Sequence, residues 1–397
     1  MSTSSEIRVP GPPHVIPLCV PEIRGNEWQY VKDCLDTTWV SSVGAYVDRF
    51  EKMVAERLGP SFHAVAVVNG TAALHTALLT AGVEPDDEVL VSALTFIAPA
   101  NAIRYAGAWP VFIDAEPEFW QMDPRQVEIF LVRDCTTIGG SLYNRHTGRR
   151  VRAILPVHIL GHPVDMQPIL ELAERFGLVV IEDATEGLGG SYGGKPLGGI
   201  GHIGCFSFNG NKMITTGGGG MMVTENPEWA ERARYLTTQA KDDPLEYIHG
   251  EIGFNYRLTN LQAAMGCAQM EQLDGYLAAK KAIAERYSQA LSPVAGITPM
   301  PEVSYGQSAW WLYTVLVDPG RYGRDRKELM QCLAEEGIQT RPLWQPLHLS
   351  PAYRQTRRLG GEVAEGLNAS ALSLPCSAGL TDADQERVIE TLIRLGA

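Results

Sequence analysis

Hydrophobic positions along the chain fall into two textures. Up to Leu58 they recur every three or four residues. That spacing predicts helices over Glu22–Leu35 and Tyr46–Leu58, with a loop at Thr38–Gly44 between them. From Ala64 the texture changes to short unbroken apolar runs that alternate with helical patterns. The runs are Ala64–Val68, Glu88–Ser92, Trp109–Ile113, Val151–Pro156, Leu178–Ile181, Ile203–Phe208 and Gly220–Val223. Strands apolar at every position are covered on both faces, so the pattern predicts an α/β fold around a mostly parallel seven-stranded sheet.

Residues 256–290 read as one long helical region. Beyond it the chain reads strand (Ala309–Val317), helix (Arg326–Glu336), strand (Gly337–Thr340) and a final helix from Thr381. This βαβα run predicts a smaller C-terminal α/β domain at 276–397. It would follow an N-terminal arm and a large domain at 1–275. The polar insert Asp134–Arg150 predicts an exposed loop or hairpin, and the Pro- and Ser-rich residues 1–18 an extended arm.

Charge narrows the function. The 397 residues carry a formal net charge of -13, which argues against nucleic-acid binding but leaves room for an anionic small molecule in a locally basic pocket. Seven scattered cysteines without a C-x-x-C fit free thiols in a reducing compartment. The N-terminus lacks a signal-peptide pattern, and no apolar run approaches the roughly 18 residues of a membrane span. A cytoplasmic protein is expected. His158 and His162 are four apart, but Gly161 and Pro163 argue against a helix presenting both to a metal, and no metal site is expected.

Four segments carry candidate chemistry. Asn69-Gly70-Thr71 stands at a strand-to-helix junction, where it reads either as a helix cap or as an anion cradle. Asp183 ends the apolar run Val179-Val180-Ile181. It either caps the next helix or points into the crevice where open α/β sheets bind ligands. There it could pair with a protonated ring nitrogen. Lys212 lies between the aromatic strand Cys205–Phe208 and the four glycines 217–220. It is either a solvated lysine or a partly desolvated amine suited to imine chemistry, with Ser207 near a phosphate. The glycine run leads into a strand rather than opening a helix, so it is no dinucleotide fingerprint. Asn255 and Arg257, around Tyr256 and ahead of the long helical region, suit phosphate or carboxylate recognition or, more simply, a cap with a surface arginine.

Taken together, FNGNKMITTGGGG, VVNGTAAL, TFIAPANAI, IEDATE, GFNYRLTN and TRPLW resemble the DegT/DnrJ/EryC1/StrS family of sugar aminotransferases over nearly the whole chain. Residues 25–51, the insert ending at Arg150 and TRPLWQPLH resemble its branch acting on UDP-linked 4-keto-6-deoxy-N-acetylhexosamines, of bacillosamine and legionaminic acid type. The resemblance implies a fold-type-I enzyme dependent on pyridoxal phosphate (PLP). It implies L-glutamate as amino donor and a homodimer with shared active sites. Lys212 would be the Schiff-base lysine and proton shuttle, and Asp183 the partner of the pyridine nitrogen. Phe96 would stack on the ring and Glu186 would sit near its hydroxyl. Gly70, Thr71 and Ser207 would hold the phosphate, with Asn255 reaching the phosphate in the neighbouring subunit. Arg257, Arg341, His348 and Trp39 are candidates for the substrate. Thr185 stands where Ala is usual, and GQSAWWL where SNxWL is common, which puts the exact sugar in doubt. The alternatives are a GDP- or dTDP-linked keto-sugar or a cyclitol ketone. A sugar dehydratase of the same fold would lack the lysine. A non-catalytic binding protein would not need Lys212, Asp183 and Ser207 together.

Overall fold

The computed structural model describes residues 14–243 and 245–396; residues 1–13 of the expected arm lie outside them. Seven strands form the main sheet: β1 (His63–Val67), β2 (Glu88–Ser92), β3 (Trp109–Ile113), β4 (Val151–Leu155), β5 (Val179–Asp183), β6 (Ile203–Ser207) and β7 (Gly220–Thr224). Their spatial order is β1-β7-β6-β5-β4-β2-β3. Strand β7 is antiparallel to both neighbours, β1 and β6, and the other pairs are parallel. The C-terminal ends of β1, β5 and β6 therefore share one edge of the sheet. Antiparallel neighbours need no crossover helix, so β6 returns as β7 through the single loop that carries Lys212.

Later strands include β8 (Ile297–Pro299), β9 (Tyr313–Val317), β10 (Arg341–Pro342), β11 (Arg358–Leu359) and β12 (Ala371–Leu374). Four of them make an antiparallel sheet in the order β8-β9-β12-β10. β11 instead pairs parallel with β3 and extends the main sheet to eight strands. The expected boundary at 275/276 falls inside the helix Leu273–Leu291. The chain start joins the C-terminal part: Ile16 N–H donates to Gly337 O at 2.9 Å, and Cys376 N–H to Leu18 O at 2.8 Å.

Two expectations are corrected. The region 256–290 is two helices, Asn260–Met270 and Leu273–Leu291, broken at Glu271–Gln272. The first begins only at Asn260, because Thr259 and Gln262 form a reciprocal capping box. Of Gly337–Thr340 only Ile338 makes a bridge, to Ile16, and the regular pairing starts at Arg341. The insert is a hairpin, Cys135–Ile138 against Ser141–Asn144. Among the described residues no helix is long and apolar enough to cross a membrane.

The core explains why the lysine loop is held firmly. Phe206 and Phe208 are buried on either side of Ser207, and Phe208 meets Phe50 edge to face at 4.9 Å. Burying such a ring contributes about 1.5–3 kcal/mol, so the strand entering the loop is well anchored.

Candidate active site

β5 ends in two buried carboxylates, and a third lies one turn later. Glu182 accepts backbone N–H groups from Gly198 (2.9 Å), Ile200 (2.7 Å) and Gly201 (2.6 Å) and sits 2.9 Å from His158 Nε2. Val164 N–H donates to His158 Nδ1, so Nε2 carries the proton and donates to Glu182. Among the described residues the Asp183 carboxylate accepts a single hydrogen bond, from Thr185 N–H at 3.1 Å. Burial pushes its carboxyl above the ordinary range, opposed by Thr185 and the charge of Lys212. Glu186 accepts Leu160 N–H at 2.8 Å and lies 3.4 Å from Lys212 Nζ. Burial pushes it up to about 7, against the pull of Lys212. Leu160 presents that N–H from a left-handed backbone (φ 60), uncommon for a bulky residue, as strain near functional groups often is.

Lys212 hangs from the β6–β7 loop with its side chain 13% exposed. Its Nζ sits 4.1 Å from the centre of the Trp311 ring, and Trp311 Nε1–H donates to Asn211 O at 2.6 Å. The amine is thus bracketed by an indole face and a carboxylate in a partly desolvated place. Some of the glycines serve the loop itself. A Cβ on Gly220 would lie 2.4 Å from Asn69 O, and Gly219 has φ +121. Gly218 and Gly219 also line the cavity.

At the end of β1, Asn69 caps the helix Gly70–Thr80 by accepting Ala72 N–H at 2.8 Å. The N–H groups of that first turn have no acceptor inside the helix. Ser207 stands beside them, so close that a Cβ on Gly70 would meet its Cβ at 2.8 Å. Cap and cradle are both present. The cavity of about 300 Å³ is lined by Gly70, Thr71, Phe96, Glu186, Ser207 and Lys212, with Asp183 buried at the neighbouring end of β5. Helix N-terminus, serine, amine and an under-bonded buried carboxylate fit a phosphate-bearing cationic ring.

Five expected residues are not brought to this cavity within one chain. Asn255 is exposed and bridges Thr238. Arg257 lines a separate groove with Asp48, Glu51 and Arg234. Trp39 is 57% exposed. Arg341 borders a depression beside Val15 and Ile338. His348 is buried, with Nε2 taken by Glu365 at 2.9 Å. Conversely, Trp311 and Trp344 line the cavity, stacked with centroids 6.1 Å apart. Neither was singled out from sequence, although the departure at GQSAWWL contains one and TRPLW the other.

The chain is similar to known proteins over nearly its whole length. Residues 21–393 match the DegT/DnrJ/EryC1/StrS aminotransferase family. A GDP-perosamine synthase of Caulobacter vibrioides is 41% identical over 378 residues, covering 95% of this chain and 97% of that one. The putative pyridoxal phosphate-dependent aminotransferase EpsN of Bacillus subtilis is 40% identical over 382 residues, covering 95% of each. The crystal structure of a DegT DnrJ EryC1 StrS aminotransferase from Brucella abortus superposes with a TM-score of 0.85 at 31% identity, covering 94% of this chain and 95% of that one. The chain therefore belongs to the DegT/DnrJ/EryC1/StrS aminotransferase family and is a PLP-dependent nucleotide-sugar aminotransferase.

Proposed function

We propose that this enzyme moves the amino group of L-glutamate to the C4 ketone of a GDP-linked 4-keto-6-deoxyhexose, working as a homodimer. The observation that carries the chemistry is Lys212 Nζ, 3.4 Å from Glu186 and facing the cavity between the helix cradle and Trp311. The Caulobacter vibrioides relative, a GDP-perosamine synthase, favours GDP over the UDP-linked substrate expected from sequence.

When bound, pyridoxal phosphate supplies an electron-accepting ring and carries the amino group between donor and acceptor. Lys212 would attach it and, once released, move a proton at Nζ. Asp183 would hold the ring nitrogen protonated, because a buried carboxylate with one amide partner is stabilised by a cation. Gly70, Thr71 and Ser207 would bind the phosphate and Phe96 would cover the ring. Glu186, with Leu160 N–H behind it, would orient Nζ and the ring hydroxyl. Asn255, exposed in one protomer, would reach the phosphate in the partner subunit. Arg257, Arg341, Trp39 and His348 are kept as substrate candidates from the sequence.

The test is an assay with purified enzyme, L-glutamate and GDP-, UDP- or dTDP-linked 4-keto sugars. 2-Oxoglutarate and an amino sugar should form fastest with GDP-4-keto-6-deoxymannose. Turnover confined to UDP-2-acetamido-4-keto-2,6-dideoxyhexose would reject the GDP assignment. Failure of every amino donor except one other than glutamate would reject the donor.

A further inference from the structure

Outside the cavity, one cluster of reactive side chains has no part in the chemistry above. Cys376 N–H donates to Leu18 O at 2.8 Å and Val20 N–H to Ser377 Oγ at 3.0 Å, so residues 18–20 lie alongside the loop after β12. Between these segments lies Lys280, from the helix Leu273–Leu291, only 3% exposed. Its Nζ is 2.7 Å from Trp311 O, 3.6 Å from Cys19 Sγ and 3.9 Å from Cys376 Sγ. Among the described residues no carboxylate pairs with it. A buried ammonium without an anion is strongly disfavoured, and the groups at hand that can become negative are the two thiols. They differ in access: Cys376 is buried, whereas Cys19 is half-buried. As a thiol, Cys19 donates to Asn211 O at 3.5 Å, in the peptide that precedes Lys212, a bond the thiolate gives up for Lys280.

We propose that Cys19 and Cys376 form a peroxide-oxidisable dithiol, in which Cys19 is the attacked sulfur, Cys376 the resolving sulfur and Lys280 the cation that holds Cys19 as thiolate. The Cys19 thiolate attacks one oxygen of hydrogen peroxide. An S–O bond forms, the O–O bond breaks and the departing hydroxide takes a proton to leave as water. Cys376 then attacks the sulfur of the sulfenic acid, forming the S–S bond and releasing a second water with the Cys376 proton. Two thiols are oxidised by two electrons and one peroxide is reduced. An accessible thiolate beside a resolving cysteine is the arrangement such chemistry needs. Titration obeys the same geometry. The neighbouring Cys376 thiol pulls the Cys19 thiol down to about 6, against its burial and with help from Lys280, while Cys376 is held well above its ordinary value.

The experiment treats the full-length, PLP-loaded enzyme with one equivalent of hydrogen peroxide, alkylates free thiols and maps the peptides. The expected result is one cross-linked peptide pair containing Cys19 and Cys376, with the other five cysteines still alkylated and reversal by dithiothreitol. In Cys376→Ser, dimedone should trap a sulfenic acid at Cys19. Alkylation of Cys19 in the untreated enzyme should reach half its maximal rate near pH 6 rather than at about 8.5. Lys280→Met should slow that alkylation at pH 7 about tenfold or more; if this variant does not fold, the wild-type pH profile decides the point. An enzyme in which both cysteines stay alkylatable after peroxide, or in which Cys19 goes on to sulfinic acid beside a free Cys376 thiol, overturns the proposal.

Discussion

Glu182 and Asp183 are adjacent on β5, both buried, and their side chains leave the strand on opposite faces. Glu182 faces the turn at 198–201, where three backbone amides and the His158 ring meet both of its oxygens. Asp183, beside Thr185, which lines the cavity, has one amide. The protein has satisfied the first carboxylate from its own backbone and left the second short of partners. Burying a charge is costly unless it is paired, so the shortfall marks where a cation from outside the chain belongs. Two like residues, one position apart, thus separate into a structural anchor and a functional group. Hydrogen-bond satisfaction tells them apart where residue type and burial do not.

Substitutions at and around the two carboxylates separate their roles. Lys212→Ala removes the amine facing Asp183 and Glu186. Transamination should vanish while the thermal midpoint stays close to wild type; measurable turnover would place the chemistry elsewhere. Asp183→Asn should lower kcat/KM by at least about a hundredfold, as losing one preorganised electrostatic partner does, and leave the apoprotein as stable or slightly more so. Glu182→Gln should behave oppositely. It loses charge-assisted bonds to buried amides and should cost about 2–3 kcal/mol in chemical denaturation, while the folded fraction keeps its kcat. If both variants moved the same readout, the distinction between the two carboxylates would fail.

A pH experiment sharpens the same contrast. In the folded apoprotein Glu186 holds its proton up to about 7, whereas an unperturbed carboxyl releases it near 4.5. The unfolded chain therefore binds fewer protons between those values, and stability falls as pH rises. Its contribution is fully present below about pH 4.5 and is lost as pH climbs through 7, a drop of about 3 kcal/mol. Urea denaturation of the apoprotein at pH 5 and pH 8 should show the fall, and Glu186→Gln should flatten much of it. The smallest effect is expected from Trp311→Phe. It keeps an aromatic face over Lys212 but removes the Nε1–H bond to Asn211 O, about 1 kcal/mol, which should change kcat/KM about fivefold.

Much of this was legible in the chain itself. The seven apolar runs all became strands of the main sheet, because a strand covered on both faces writes its burial directly into its residues. Three of the four segments named for chemistry, at Gly70, Asp183 and Lys212, meet at one edge, because β1, β5 and β6 run in the same direction; the fourth, at Asn255 and Arg257, stays away from the cavity within one chain. The break at Glu271–Gln272 was not legible, since Met270, Glu271, Gln272 and Leu273 continue a helical pattern. Two-residue strands such as β11 carry no periodicity to read. Trp311 and Trp344 were not singled out, although GQSAWWL and TRPLW contain them. Their place over the cavity depends on how the segments around β9 and β10 close over the β6–β7 loop.

By itself the sequence determined the seven strands of the main sheet, their order along the chain and the residue types at the three loops, because apolar runs and turn chemistry are local properties. Only the tertiary structure decided which buried carboxylate is fully bonded, why Gly70 and Gly220 admit no side chain, and that Lys280 meets two sulfurs rather than an acid. Each of these depends on groups tens to hundreds of residues apart. A hydrogen bond or a steric contact is settled by where distant backbone arrives, and no local pattern carries that information.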